Sequence, residues 1–156
     1  METINVIIAA LVTIFYLMLA TRILSSFYRR ITNPLNHATG ILLIFTLIGF
    51  GINLHDFSEI AVSSFFFYTS SGNWFFAISF YLLFALIAFV FSFILFRFSF
   101  LLMNMTTPEN EKAELGKNNI ILALTHGVVY VLLCYILSSP ITILANTMIG
   151  YSDLSN

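Results

Sequence analysis

The side chains whose types are best suited to proton transfer or ligand binding lie near the carboxyl end of the chain, at a spacing of four. His126 is followed by Tyr130 and Cys134, and Thr125 stands directly before the histidine. Because a helix turns once in 3.6 residues, the first three share one helix face. A buried imidazole beside hydroxyl groups can bond a neighbouring helix, contact a ligand or relay protons. The pattern therefore predicts either a polar contact between helices or part of a permeation path.

A second polar pattern lies earlier in the chain. Thr39, Thr46 and Asn53 recur every seven residues, with Gly49 among them. Small and hydroxyl side chains at this spacing let helices approach closely and form hydrogen bonds across the contact. Packing between helices is the favoured interpretation, and the lining of a polar path is the alternative.

Patterns typical of catalysis or metal binding are missing from the sequence. No paired carboxylates share a helix face in the apolar stretches, and no glycine-rich phosphate loop occurs. Cys134 is the single cysteine, and His126 has no second ligand one helical turn away. We therefore expect no catalytic residues, no metal site and no cofactor.

The composition identifies the elements that must position these residues. Of 156 residues, 60% are hydrophobic and only 8% are charged, and the mean hydropathy is +0.98. Soluble domains carry about a quarter charged residues, so a water-soluble enzyme is excluded. The net charge of −1 offers no basic field for nucleic acid. The lipid bilayer is the expected environment of one integral membrane domain, residues 1–156.

Four stretches free of charged residues are each long enough to cross a bilayer as a helix. They predict an all-α polytopic membrane protein with spans at residues 4–26, 37–55, 74–98 and 118–138. Between the second and third spans, residues 57–73 are rich in Ser and Phe, which favours a segment in the membrane interface. After Pro140, residues 140–150 are a candidate helical extension.

The basic residues predict how the chain is oriented. Arg22, Arg29 and Arg30 follow the first span, whereas Arg97, Lys112 and Lys117 lie between the third and fourth spans. Loops rich in Lys and Arg stay on the cytoplasmic side. We therefore expect a multi-pass protein of the cell membrane with both termini outside the cytoplasm.

The two cytoplasmic connections resemble one another, since each contains Thr, a capping residue, Pro, a spacer and Asn. Asn33 or Thr107 can cap a helix that begins at the proline. The second copy continues as a short cytoplasmic interfacial helix, which Gly116 can end. The repeat predicts four spans arranged as two duplicated hairpins. The alternative is that unrelated tight turns use the same residue types.

Charged side chains of the connections are candidates for docking a cytoplasmic partner. They are Arg29, Arg30, Glu109, Glu111, Lys112, Glu114 and Lys117. Such a cluster is more often simply the solvated face of a helix.

The second connection and the start of the last span carry a family resemblance. The matching residues are Thr107, Pro108, Asn110, Glu111, Lys117 and Asn118 or Asn119, within residues 106–127. Here the chain resembles the YjfL-like family of small bacterial inner-membrane proteins, known as domain of unknown function 350. The resemblance implies four spans in two duplicated hairpins and a bacterial inner membrane, and it implies no activity.

Two functions fit these patterns. The first is a non-catalytic membrane subunit that assembles with copies of itself or with other membrane subunits. The alternative is a small ion channel or transporter, in which His126, Tyr130, Thr125, Thr39, Thr46 and Asn53 line a polar path.

Overall fold

The computed structural model describes residues 2–32, 35–70, 72–106 and 110–148. These residues form five helices and no strand. The helices are α1 (Glu2–Arg29), α2 (His37–Ser70), α3 (Trp74–Thr106), α4 (Glu111–Gly116) and α5 (Ile120–Met148). All but α4 contain a stretch long and apolar enough to cross a membrane. The all-helical class is therefore confirmed for the described residues, as is the prediction of four helices long and apolar enough to span a membrane.

The spans differ from the predicted ones mainly at their ends. The apolar stretches are Ala10–Arg29, His37–Val62, Trp74–Thr106 and Ile120–Pro140. Each helix continues past its predicted end, because hydropathy marks where lipid begins and not where backbone hydrogen bonding stops. Pro140 lies inside α5, which continues to Met148.

Helix α2 is one helix through Ser70, so it continues into the predicted interfacial segment, past the span end predicted at residue 55. Its apolar side chains keep a helical spacing beyond that point, and Phe57 and Phe65 are buried against aromatic rings of α3. Ser58 donates a hydrogen bond to the His55 carbonyl within the helix, at 2.6 Å. Serines can thus be accommodated in a helix whose other face is packed.

The turn after α2 is set by Gly72, whose φ is 76°. Its amide donates to the Thr69 carbonyl, and the amide of Asn73 donates to the Tyr68 carbonyl. This pair of bonds is the Schellman arrangement, which needs a left-handed residue after the helix. The chain therefore reverses tightly into α3.

Helix α2 lies at the centre of the bundle, in contact with α1, α3 and α5. Its contact with α5 is close because each helix offers a glycine. A β-carbon on Gly49 would lie 2.3 Å from the Tyr130 ring, and one on Gly127 would lie 2.6 Å from the Phe45 ring. Glycines at such crossings let helix backbones approach.

An asparagine stands directly before helix α4, and another follows shortly after it. The Asn110 side chain caps the start of the helix by accepting from the Lys112 amide, at 3.1 Å. Gly116 is the last residue of α4, as predicted. The left-handed residue after the helix is Asn118, whose φ is 65° and which forms the Schellman bonds, because asparagine also tolerates this conformation.

The predicted starts of two helices also change. Asn33, Pro34, Thr107 and Pro108 lie outside the described residues. Helix α2 begins at His37 and α4 at Glu111, three residues after the prolines that were predicted to begin them. An asparagine precedes each helix and supplies the cap, which removes the need for proline at the first position.

Candidate functional site

Among the described residues, the candidate site is the group of ionisable and hydroxyl side chains around His126 on α5. Its Nδ1 contacts the Glu111 carboxylate of α4, and its Nε2 lies 2.8 Å from the Ser99 hydroxyl of α3. The three side chains are fully buried. The Phe100 ring covers the imidazole edge-on, with 4.3 Å between ring centroids. Three elements thus bring one acid, one base and one hydroxyl into contact.

Helix α4 places Glu111 by lying against the ends of the longer helices. Leu115, one turn after Glu111, is also fully buried. The Asn104 side chain of α3 accepts from the Glu111 amide, at 3.3 Å. One carboxylate oxygen, Oε2, is buried without a hydrogen-bond partner among the described residues. The inward face of this six-residue helix therefore carries both an apolar and an ionisable anchor.

A second polar cluster lies deeper in the bundle, around Ser92 of α3. Asn53 donates to the Ser92 hydroxyl at 2.9 Å and contacts the Cys134 sulfur at 3.5 Å. The Tyr16 hydroxyl lies 3.3 Å from the Ser92 hydroxyl, and Tyr130 donates to the Ser92 carbonyl at 3.2 Å. This cluster joins all four long helices through side-chain hydrogen bonds.

Aromatic rings separate the two clusters. Phe96 is fully buried on α3 between Ser92 and Ser99. It contacts the rings of Tyr28 and Tyr130, with 5.9 and 6.0 Å between centroids. A phenyl ring offers no site for proton transfer. The hydrogen-bonded groups therefore do not form one continuous chain across the bundle.

The two connections that were predicted to be cytoplasmic are joined by a third set of polar contacts. Asn36 caps α2 by accepting from the Thr39 amide, and it donates to the Leu115 carbonyl at 2.7 Å. Asn118 accepts from the Ala38 amide at 2.9 Å. The start of α2 is thus bonded to the end of α4, which fixes the two connections relative to each other.

The predicted polar residues fall into separate places. His126 belongs to the first cluster, and Asn53 and Tyr130 belong to the second. Thr39 takes part in the contacts between the two connections. Thr46 bonds the Tyr28 hydroxyl at 2.9 Å, whereas Thr125 is exposed and donates to a carbonyl of its own helix.

One expectation about chemistry is wrong. Glu111 was expected on a solvated or docking surface, but its side chain is buried because α4 folds back onto the bundle. Tertiary folding also brings Ser99 and Glu111, which are distant in the sequence, to His126.

The remaining docking candidates lie at the surface where they are described. Arg29, Arg30, Lys112 and Lys117 are exposed. Glu114 is largely covered and forms an ion pair with Lys117 at 2.5 Å. Glu109 lies outside the described residues. The described surface of the connections is therefore predominantly basic.

The order Ser99, His126, Glu111 is also that of a hydrolytic triad, in which histidine activates serine and an acid orients the histidine. A nucleophile must reach its substrate, and the Ser99 side chain is fully buried and donates to the Phe96 carbonyl at 2.8 Å. In the structure, the Ser99 hydroxyl is therefore not open to a substrate. Among the residues that the structure describes, no three His, Cys, Asp or Glu side chains are grouped to hold a metal ion.

Sequence reasoning missed the partners of the predicted residues. Ser92 and Ser99 lie seven residues apart on one face of α3, which is the spacing of Thr39, Thr46 and Asn53 on α2. That shared period was a usable signal for facing polar stripes. Glu111 carried no such signal, because its burial depends on how a short helix folds back.

Comparison with protein-family models, with curated proteins and with solved structures finds no match to this chain. The class of the protein rests on the fold alone: its four long apolar helices are those of a multi-pass membrane protein.

Proposed function

We propose that the chain is a non-catalytic integral membrane subunit, which acts by assembling with copies of itself or with other membrane proteins. The observation that carries this proposal is the fixed surface around the two connections, the face that we place in the cytoplasm. Helix α4 is held by two buried side chains, Glu111 and Leu115, and its end is bonded to the start of α2. A short connection held this firmly is suited to present a constant surface to a partner.

The polar side chains inside the spans support the same proposal. Thr46, Asn53 and His126 are fully buried and bond to other side chains of the same chain. Hydrogen bonds of this kind stabilise helix contacts in membranes. Their partners lie within the protomer, so packing accounts for them without a pore.

The charge of the face favours an acidic partner. Exposed Arg29, Arg30 and Lys112 lie on it, whereas the described carboxylates Glu111 and Glu114 are buried or paired with lysine. Complementary charge steers association and fixes its orientation. We therefore expect the partner surface to carry Asp and Glu.

Assembly is tested by native mass spectrometry of the full chain extracted from membranes in mild detergent or reconstituted in nanodiscs. We expect a defined complex, and we expect Lys112→Glu together with Arg29→Glu to lower its fraction at least tenfold. The control is Arg97→Gln, because Arg97 is an exposed cation on another helix, α3. A folded chain that stays monomeric under all conditions would contradict the proposal.

The second candidate is a small ion channel or transporter with a proton-linked path through His126. It is favoured by one observation, the contact of His126 with Glu111, which places two ionisable groups together. Flux through purified protein in liposomes between pH 5 and 8 tests it, because histidines ordinarily change charge in this range. Flux that His126→Ala abolishes would favour transport over assembly.

We also propose that the spans are two duplicated hairpins, with the connections in the cytoplasm, both termini outside and α4 in the membrane interface. Helix directions support the duplication. Phe45 and Gly49 of α2 approach Gly127 and Tyr130 of α5 in the same order, so the second helices of the hairpins run parallel. Membership of the YjfL-like family and a bacterial inner membrane stay predictions.

A further inference from the structure

An open groove of about 540 Å³ runs along the cytoplasmic half of α1. Its polar lining is Arg22, Ser26 and Arg30, which are spaced four residues apart, and all three are exposed. Its apolar lining is Leu19, Ile23 and Phe27. The groove thus combines two guanidinium groups and a hydroxyl with an apolar floor.

The two arginines have no carboxylate partner among the described residues, where the only ion pairs are those of Glu114 and Glu111. Arg22 lies within the apolar stretch Ala10–Arg29. Seven residues of helix separate it from the end of that stretch, a rise of about 10 Å. A lipid-facing cation at such a depth is costly unless it extends to the interface or pairs with an anion.

We propose that this groove binds the headgroup of an anionic phospholipid. The guanidinium groups of Arg22 and Arg30 match phosphate oxygens in charge and geometry. The Ser26 hydroxyl lies between them along the helix and offers a further donor. An acyl chain of the same lipid lies along Leu19 and Ile23, where the groove is apolar.

A second copy of the chain is a poorer occupant. Its described cytoplasmic carboxylates are Glu111, which is fully buried, and Glu114, which is paired with Lys117. Neither is free to neutralise an arginine of a neighbour. A phospholipid supplies both the negative charge and the apolar chain that this groove accommodates, and it is present wherever a membrane protein resides.

The test is native mass spectrometry of the full chain in detergent with added phosphatidylglycerol or phosphatidylcholine, which share acyl chains and differ in net charge. We expect preferential retention of phosphatidylglycerol by the unmodified chain. Arg22→Gln together with Arg30→Gln should lower that retention at least tenfold. Arg29→Gln, the same charge change on the same helix outside the groove, should leave it within twofold.

Other outcomes overturn the proposal. Equal retention of the two lipids would show that the negative charge is not recognised. Equal loss with Arg29→Gln would show a diffuse charge effect without a site. Complete competition by millimolar inorganic phosphate would assign the groove to free phosphate. If the glutamine double variant does not fold, Arg22→Gln and Arg30→Gln are measured singly, and retention unchanged in both would also contradict it.

Discussion

At the scale of single residues, His126 and Glu111 depend on each other. Both are fully buried and in contact, so removing one leaves the other without its partner in a medium of low polarity. Leaving a buried polar or charged group without its partner costs about 1 to 3 kcal/mol. We expect His126→Ala to destabilise the bundle by about this amount, compared with about 0.6 to 2 kcal/mol for an ordinary interhelical hydrogen bond. Equilibrium unfolding in mixed micelles measures it.

The control for this prediction is His55→Ala, because His55 is exposed on α2 and its removal should change the free energy of unfolding by less than about 0.5 kcal/mol. A double variant, Glu111→Gln with His126→Gln, is compared with the two single glutamine variants to measure the interaction energy between the two side chains. Its loss of stability should be smaller than the sum of the single losses. Additive losses would show that the two side chains do not interact.

The sequence predicted which residues of the spans carry chemistry but not what they contact. His126 and Asn53 were recognisable because polar groups are rare in apolar helices. Their partners Ser99 and Ser92 have common side chains, and Glu111 lies in a connection where a carboxylate is unremarkable. Contacts between separate helices depend on their relative rotation, which hydropathy does not specify. The network around His126 was therefore visible only in three dimensions.

At the scale of elements, the crossing of α2 and α5 depends on glycine. An alanine at Gly127 would press its β-carbon against the Phe45 ring, 2.6 Å away. Overpacking of this kind costs about 1 to 3 kcal/mol, so we expect Gly127→Ala to lower the free energy of unfolding by that amount. Gly51→Ala is the matched control, since its β-carbon would meet nothing within 4 Å and alanine favours helix by about 1 kcal/mol. Equal effects at both positions would refute the packing argument.

The end of α4 depends on Asn118 in two ways. Its φ is 65°, and its side chain accepts from the Ala38 amide at the start of α2. Asn118→Ala removes the bond and also strains the backbone, which costs about 1 to 2 kcal/mol, whereas Asn118→Gly removes the bond alone. Hydrogen exchange of the α4 amides should therefore accelerate in both variants, and more in the alanine variant. Exchange in the glycine variant as fast as or faster than in the alanine variant would show that backbone strain is not the controlling factor.

The elements themselves were largely predictable, and their ends were not. Long apolar runs require helices in a bilayer, so four spans followed directly from composition. The ends depend on caps, and here asparagines supply them at Asn36, Asn110 and Asn118. Residues 57–70 extended α2 because burial of Phe57 and Phe65 against α3 outweighed the polarity of the serines between them.

At the scale of the whole molecule, the proposed orientation makes one prediction about access from the two sides of the membrane. Cys134 is fully buried, so the unmodified chain should resist a membrane-impermeant maleimide and serves as the background. Lys117→Cys replaces a side chain that is 72% exposed beside α4, and Asn73→Cys replaces an exposed side chain at the opposite turn. Because basic connections stay in the cytoplasm, intact cells should label position 73 and inverted vesicles position 117. The reverse pattern would invert the orientation, and it would move the basic face and the lipid groove of α1 to the outer surface.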